Sequence, residues 1–171
     1  EFDHDGKPDS FTAIDVKSAA VSKDRLKVRL RLEGWKAGYI TAIIGKWHLG
    51  FGKEYPVDWN KELKPGPLEV GFGYYFGVPV LNSHPPFVYV ENHNVVGYNK
   101  NDPFEYGKTA ESRWFREKWK YDDIGGAREA HQLYDDRMVG TTLKSKVLNY
   151  ITENKTKPFF LYFAPTNIHH P

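Results

Sequence analysis

Two short runs constrain the fold of this chain more than anything else in it. Tyr39-Ile40-Thr41-Ala42-Ile43-Ile44 is β-branched and aromatic on both parities, and Phe159-Phe160-Leu161-Tyr162-Phe163 is apolar throughout. A strand with no polar face is buried on both sides, as in a parallel sheet. The first run stops at Gly45 and the second is broken by Pro165. Between them, residues 126–154 read as one helix. Ala127, Ala130, Tyr134, Met138, Thr141, Leu148 and Ile151 fall near one stripe, and Asn154 and Pro158 mark its end. Gly140 lies inside it, at a cost of about 1 kcal/mol relative to Ala. Strand, long excursion, helix, strand is a βαβ crossover, which predicts an α/β fold built on a parallel sheet.

The excursion, residues 51–125, is dense in Gly, Pro, Asn and aromatics. Pro56, Pro65, Pro67, Pro79, Pro85, Pro86 and Pro103 forbid long regular elements. One short strand is expected at Phe87-Val88-Tyr89-Val90. So long an irregular stretch usually builds a surface or a site. Its Trp and Tyr side chains suit stacking on sugar rings, or equally packing of the loop onto the body. Upstream, Arg25 to Leu32 alternates apolar and polar, the pattern of a half-exposed strand. Asp3-His4-Asp5-Gly6-Lys7-Pro8-Asp9 has the alternating oxygens and glycine of a calcium loop, or is a solvated acidic turn.

Composition bounds the function. The 171 residues allow one ordinary domain or a piece of a larger one. With 40% apolar and 16% aromatic residues the chain is too hydrophobic for disorder. No apolar run approaches the ~18 residues of a membrane span, and no signal peptide is visible. A net charge of +2 with both signs interspersed gives no case for nucleic-acid binding. There is no cysteine, which excludes disulfides, cysteine zinc sites and a thiol nucleophile.

Lys46-Trp47-His48 directly follows the first buried run, flanked by Gly45 and Gly50. If the backbone stays extended, Lys46 and His48 point to the same side. His169-His170-Pro171 follows the second run. In open parallel sheets ligands sit outside the carboxyl ends of strands, so both runs deliver basic residues to one edge. An ammonium with imidazoles suits an anionic group that needs proton transfer, such as a phosphate or sulfate ester. Against this stand a solvated lysine tip, a structural histidine, or a zinc site from His48, His169 and His170 that lacks helical His spacing.

These residues also carry a family resemblance. Ala37-Gly38-Tyr39-Ile40-Thr41-Ala42-Ile43-Ile44-Gly45-Lys46-Trp47-His48-Leu49-Gly50 closely resembles the second signature of the type I, formylglycine-dependent sulfatases. Lys157-Pro158-Phe159-Phe160-Leu161-Tyr162-Phe163-Ala164-Pro165-Thr166-Asn167-Ile168-His169-His170-Pro171 looks like the family's later strand-plus-histidine motif. Gly71-Phe72-Gly73-Tyr74-Tyr75-Phe76-Gly77-Val78-Pro79 is similar to its Gly-Phe-aromatic-Gly-x-Pro turn, and Tyr134-Asp135-Asp136 with Met138-Val139-Gly140 also fits.

The resemblance spans residues 36–171. It implies an alkaline-phosphatase-like α/β core, incomplete here and carrying a long irregular aromatic-rich insertion. Residues 1–33 form an atypical N-terminal segment and 34–171 part of a catalytic domain. It implies hydrolysis of sulfate esters, of carbohydrates or aryl alcohols, by a hydrated formylglycine with a calcium ion on the sulfate.

By motif position, Lys46 would contact the sulfate and the nucleophile, and His48 would be the base that regenerates the aldehyde. His169 would protonate the leaving alcohol; Ser83 would contact sulfate and His84 the substrate. Neither the nucleophile motif nor the paired acidic metal ligands occur in the sequence, so an internal fragment, inactive alone, is expected. The resemblance implies a periplasmic or secreted parent and a small-molecule or glycan sulfate ester as partner, with no nucleic acid and no membrane. A non-catalytic module for sulfated glycans and a metal-dependent phosphodiesterase or phosphatase are the alternatives. Asn154-Lys155-Thr156 is also a glycosylation sequon.

Overall fold

The computed structural model describes residues 14–22, 25–32, 38–80, 86–105 and 128–167. The alternating segment forms β2 (Arg25–Leu32), paired antiparallel with β1 (Ile14–Ser22) in a two-stranded sheet. β1 was not legible in the sequence. Its register shifts between Val16 and Ser18, and such a bulge breaks the period-2 signal. The Asp3–Asp9 pattern lies outside the described residues.

The main sheet has five strands in the order β6-β5-β4-β3-β7. At its centre is β3 (Ile40–Lys46), the first apolar run, buried from Thr41 to Gly45. It pairs in parallel with β4 (Tyr74–Val78) on one side and β7 (Phe159–Ala164) on the other. β5 (Val90–Glu91) and β6 (Asn94–Val95) extend the β4 side antiparallel, so the sheet is mixed. The α/β expectation therefore holds for the centre of the sheet.

Several local expectations do not hold. β3 continues through Gly45 to Lys46 instead of stopping. Gly45 takes φ 130, and a Cβ there would fall on the Ala164 carbonyl. Its register partner Gly77 is equally tight, since a Cβ there would fall on the carbonyl of Gly45. Glycine thus permits close backbone approach and does not end the strand. The same glycine made Tyr74–Val78 read as a turn, whereas it is β4. Phe87-Val88-Tyr89-Val90 is buried, but only Val90 belongs to a strand. β7 is an edge strand with Tyr162 and Phe163 51% and 41% exposed, and not a strand covered on both sides.

The single helix of the sequence reading is two: α1 (Arg128–Leu133) and α2 (Val139–Asn154). Asp135 breaks them apart. Its carboxylate accepts hydrogen bonds from the Arg137 backbone and guanidinium, and Met138 N donates to the Asp135 carbonyl. Such local capture of backbone groups competes with helix. The break changes the buried face. Val139, Leu143 and Tyr150 point inward, while Met138, Leu148 and Ile151 of the expected stripe are exposed.

Period-2 alternation on β3 and β4 builds two cores. Ala42, Ile44, Phe76 and Val78 face α2 through Val139, Leu143 and Tyr150, and the segment before it through Tyr134. Ile43, Tyr75 and Val90 face the opposite way, and there the cover is the irregular stretch, through Trp47, Phe51, Trp59, Leu63 and Phe104. The aromatic loop is the second layer of the sandwich. Asn60 fastens it: its amide donates to the Phe104 carbonyl at 3.0 Å and accepts from the Phe104 N–H at 2.7 Å.

Glu91 of β5 accepts from the Tyr74 hydroxyl at 2.6 Å and pairs with Lys146 of α2 at 3.1 Å. Burial pushes this carboxyl up, but the hydrogen bonds from Tyr74 and Lys146 outweigh it and hold it below its ordinary 4.5. A depressed folded pKa contributes stability above the unfolded value, lost as pH falls through the folded one. Glu91→Gln should therefore flatten the stability–pH curve below about pH 5, read by denaturant melts across pH. Gly45→Ala should destabilise by about 3 kcal/mol or more, since both a left-handed φ and a backbone overlap oppose it.

Candidate active-site edge

Because β4, β3 and β7 are mutually parallel neighbours, the segments that follow Val78, Lys46 and Ala164 leave from one edge of the sheet. Lys46 is the last residue of β3, half-buried and in register with Val78. The ladder continues past the strand ends: Trp47 N donates to Val78 O at 3.2 Å and His48 N to Pro79 O at 2.9 Å. Tyr75, fully buried on β4, supports this end from beneath by donating to the Val78 carbonyl at 3.2 Å.

Trp47 explains the spacing of the motif. Its ring is buried in the core and its indole N–H donates to the Gly50 carbonyl at 2.7 Å, closing the turn. His48, between, is exposed and takes φ 61. The backbone is therefore not extended through His48, and the condition for placing Lys46 and His48 on one side by simple alternation is not met. A left-handed residue costs roughly 1–2 kcal/mol. Removing a buried indole costs roughly 3–5 kcal/mol. The Trp47 anchor outweighs the strain at His48, which is how such a backbone outlier persists. Sequence reasoning gave no role to Trp47 or Tyr75; a tryptophan between two basic residues was the available signal.

Downstream of β7, Thr166 is buried and Asn167 lies against Gly140 in the first turn of α2. The turn before α2 holds Asp136, whose carboxyl is raised by burial and by the Asp135 charge beside it. Asp135 itself is held below its ordinary range by the Arg137 guanidinium. Ser83, His84, His169 and His170 lie outside the described residues. Among the described residues, no three His, Asp or Glu side chains are grouped to hold a metal ion, and the chain has no cysteine. The calcium implied by the resemblance thus finds no ligand cluster among the described residues. No helix among the described residues is long and apolar enough to cross a membrane.

No protein-family model matches the chain. It is 31% identical over 159 residues to an N-acetylgalactosamine-6-O-sulfatase of Bacteroides thetaiotaomicron, covering 80% of this chain and 31% of that protein. Mouse arylsulfatase J is 30% identical over 138 residues, covering 80% of this chain and 18% of its own length. A solved structure from work on the metabolism of multiple glycosaminoglycans by Bacteroides thetaiotaomicron superposes with a TM-score of 0.68 at 29% identity, covering 80% of this chain and 33% of that one. The chain belongs to the sulfatase family. It spans about a third or less of the length of these relatives.

Strain at His48 has a direct consequence. His48→Gly should leave stability unchanged or raise it by up to about 1 kcal/mol, because glycine accepts the left-handed backbone. Urea melts check this. A loss of more than about 1 kcal/mol would mean that ring contacts, not the backbone, hold the turn.

Proposed function

We propose that the protein containing this segment hydrolyses sulfate esters of carbohydrates, with residues 34–171 as part of its catalytic domain and residues 1–33 apart from it. The observation that carries this reading is the Lys46-Trp47-His48 tip, anchored at the carboxyl end of β3 beside the ends of β4 and β7. Lys46 binds the sulfate oxygens, where a fixed cation stabilises charge that builds up as the ester breaks. His169 holds the proton that passes to the leaving alcohol oxygen, and His48 is the proton acceptor of the second half-reaction. Ser83 contacts the sulfate and His84 the sugar.

Family membership brings a metal cofactor. Calcium is the ion we assign, with ligands and nucleophile from outside the described residues. No step above is routed through either. The related enzymes are sulfatases by name, which favours a sulfate ester over a phosphate diester and hydrolysis over binding alone. N-acetylgalactosamine 6-sulfate is the first substrate to try, since one of the relatives matched over most of this chain is named for it. A periplasmic or secreted location is part of the same reading, as is the absence of nucleic-acid and membrane partners.

The test is sulfate release by the full-length protein from N-acetylgalactosamine 6-sulfate and an aryl sulfate. Lys46→Ala should lower kcat/KM and His48→Ala should lower kcat, each by about 10²–10⁴-fold. Release of phosphate but never sulfate would overturn the reading, as would full activity in both variants.

A further inference from the structure

The β1–β2 ribbon lies outside the residues that carry the sulfatase resemblance, and no step of the proposed reaction uses it. Its register sorts it into two chemically different faces. Residues directly opposite in an antiparallel pair share a face, as do alternate residues of one strand. One face is apolar throughout, from the Ile14–Leu32 pair to the Val21–Leu26 pair. The other carries Arg25, Lys27, Arg29 and Arg31, and their register partners on β1 include one acidic residue, Asp15. The register shift between Val16 and Ser18 keeps this sorting intact. It takes Lys17 out of the pairing and reverses the parity of β1, so that Ala19 and Val21 join the face of Val16 and Ser18 joins the other.

At about 3.4 Å per residue, successive cations of the row are about 7 Å apart and the row runs about 20 Å. That spacing is inside the screening length of about 8 Å at physiological salt, so the row repels itself and opposes formation of the ribbon. Asp15, opposite Arg31, relieves one end only. A polyanion laid along the row turns this repulsion into attraction. Three of the four cations are arginines, whose planar forks match paired oxygens of an oxyanion. Neither strand contains an aromatic residue, so the ribbon offers no stacking platform for bases and no interfacial anchor for a bilayer. The β2 backbone runs alongside the helical turn Pro67–Val70 of the irregular layer, so the ribbon is carried by the body that bears the Lys46-Trp47-His48 tip.

We infer that the basic face of the β1–β2 ribbon binds a sulfated polysaccharide, holding the polymer beside the catalytic domain without taking part in cleavage. The choice of a sulfated glycan over other polyanions rests on the sulfatase reading above; the polyanion face itself does not.

The test is titration of the full-length protein with chondroitin sulfate, with hyaluronan as the unsulfated counterpart, with duplex DNA and with phosphatidylserine vesicles. Chondroitin sulfate should bind at least about tenfold more tightly than hyaluronan, more tightly than DNA or vesicles, and less tightly as salt rises. The combined variant Arg25→Thr, Lys27→Thr, Arg29→Thr and Arg31→Thr should lose at least about tenfold in chondroitin sulfate affinity, threonine being a good strand former. Ala20→Glu, at the register position of Lys27, should lose about threefold or more with all four cations in place, and it decides the matter if the combined variant does not fold. Neither variant should move kcat/KM for N-acetylgalactosamine 6-sulfate by more than about twofold. Unchanged chondroitin sulfate affinity in the variants, or an equal loss on the monosaccharide, would overturn the face. Tighter binding of DNA or vesicles would overturn the choice of glycan. Loss of chondroitin sulfate binding in the variants, with no sulfate released by the wild-type protein, would keep the face and overturn the sulfatase reading.

Discussion

Backbone contact across Gly77, Gly45 and Ala164 holds the ends of three parallel strands closer than side chains would allow. The row sits one residue before Lys46 and Val78, where the strands run out. Any Cβ at Gly45 or Gly77 would push a neighbour's carbonyl away and splay the edge. Three chain tails then leave side by side, and the Trp47 and His48 amides extend the β3–β4 ladder into the tail itself. The left-handed turn at His48 is tolerated because Trp47 is buried on one side and hydrogen-bonded to Gly50 on the other. Local strain at the tip thus depends on packing in the layer beneath it.

That layer is unusual in being irregular. One face of the sheet is covered by α2 in the ordinary α/β manner. The other is covered mainly by a proline-rich loop that brings aromatics, together with Ala130 of α1. A loop can fill this role because its backbone groups are satisfied internally, by the Asn60–Phe104 pair and by the amide donors at Gly52, Leu63 and Gly66. A covering loop also leaves concavities that a straight helix would not. A cavity beside Lys53 is one of them.

What the sequence disclosed follows the range of the forces involved. β3 was legible because burial on both faces leaves no polar residue to confuse the pattern. The Lys46-Trp47-His48 tip stood out in the sequence as a basic motif after a buried strand, but its geometry did not, since the left-handed φ at His48 depends on where the Trp47 ring goes. β4 was hidden by Gly77, which punctuates a sequence yet in the fold admits a neighbouring backbone. The single helix over residues 126–154 failed on a local event: Asp135 captures the Arg137 amide, so that the stripe through Met138 and Leu148 no longer describes one face. Among the described residues of the long excursion most aromatics turn inward to the core, and only Tyr55 and Tyr98 remain exposed.

On the proposed reading, one edge of the sheet presents Lys46, His48 and His169 to a single tetrahedral anion. A crystal structure of the full-length protein with bound sulfate measures this directly. It should place the sulfate within hydrogen-bonding distance of Lys46 Nζ, with the His48 and His169 rings on the same anion or its ester oxygen. A sulfate bound elsewhere, with these three side chains turned to separate surfaces, would contradict it.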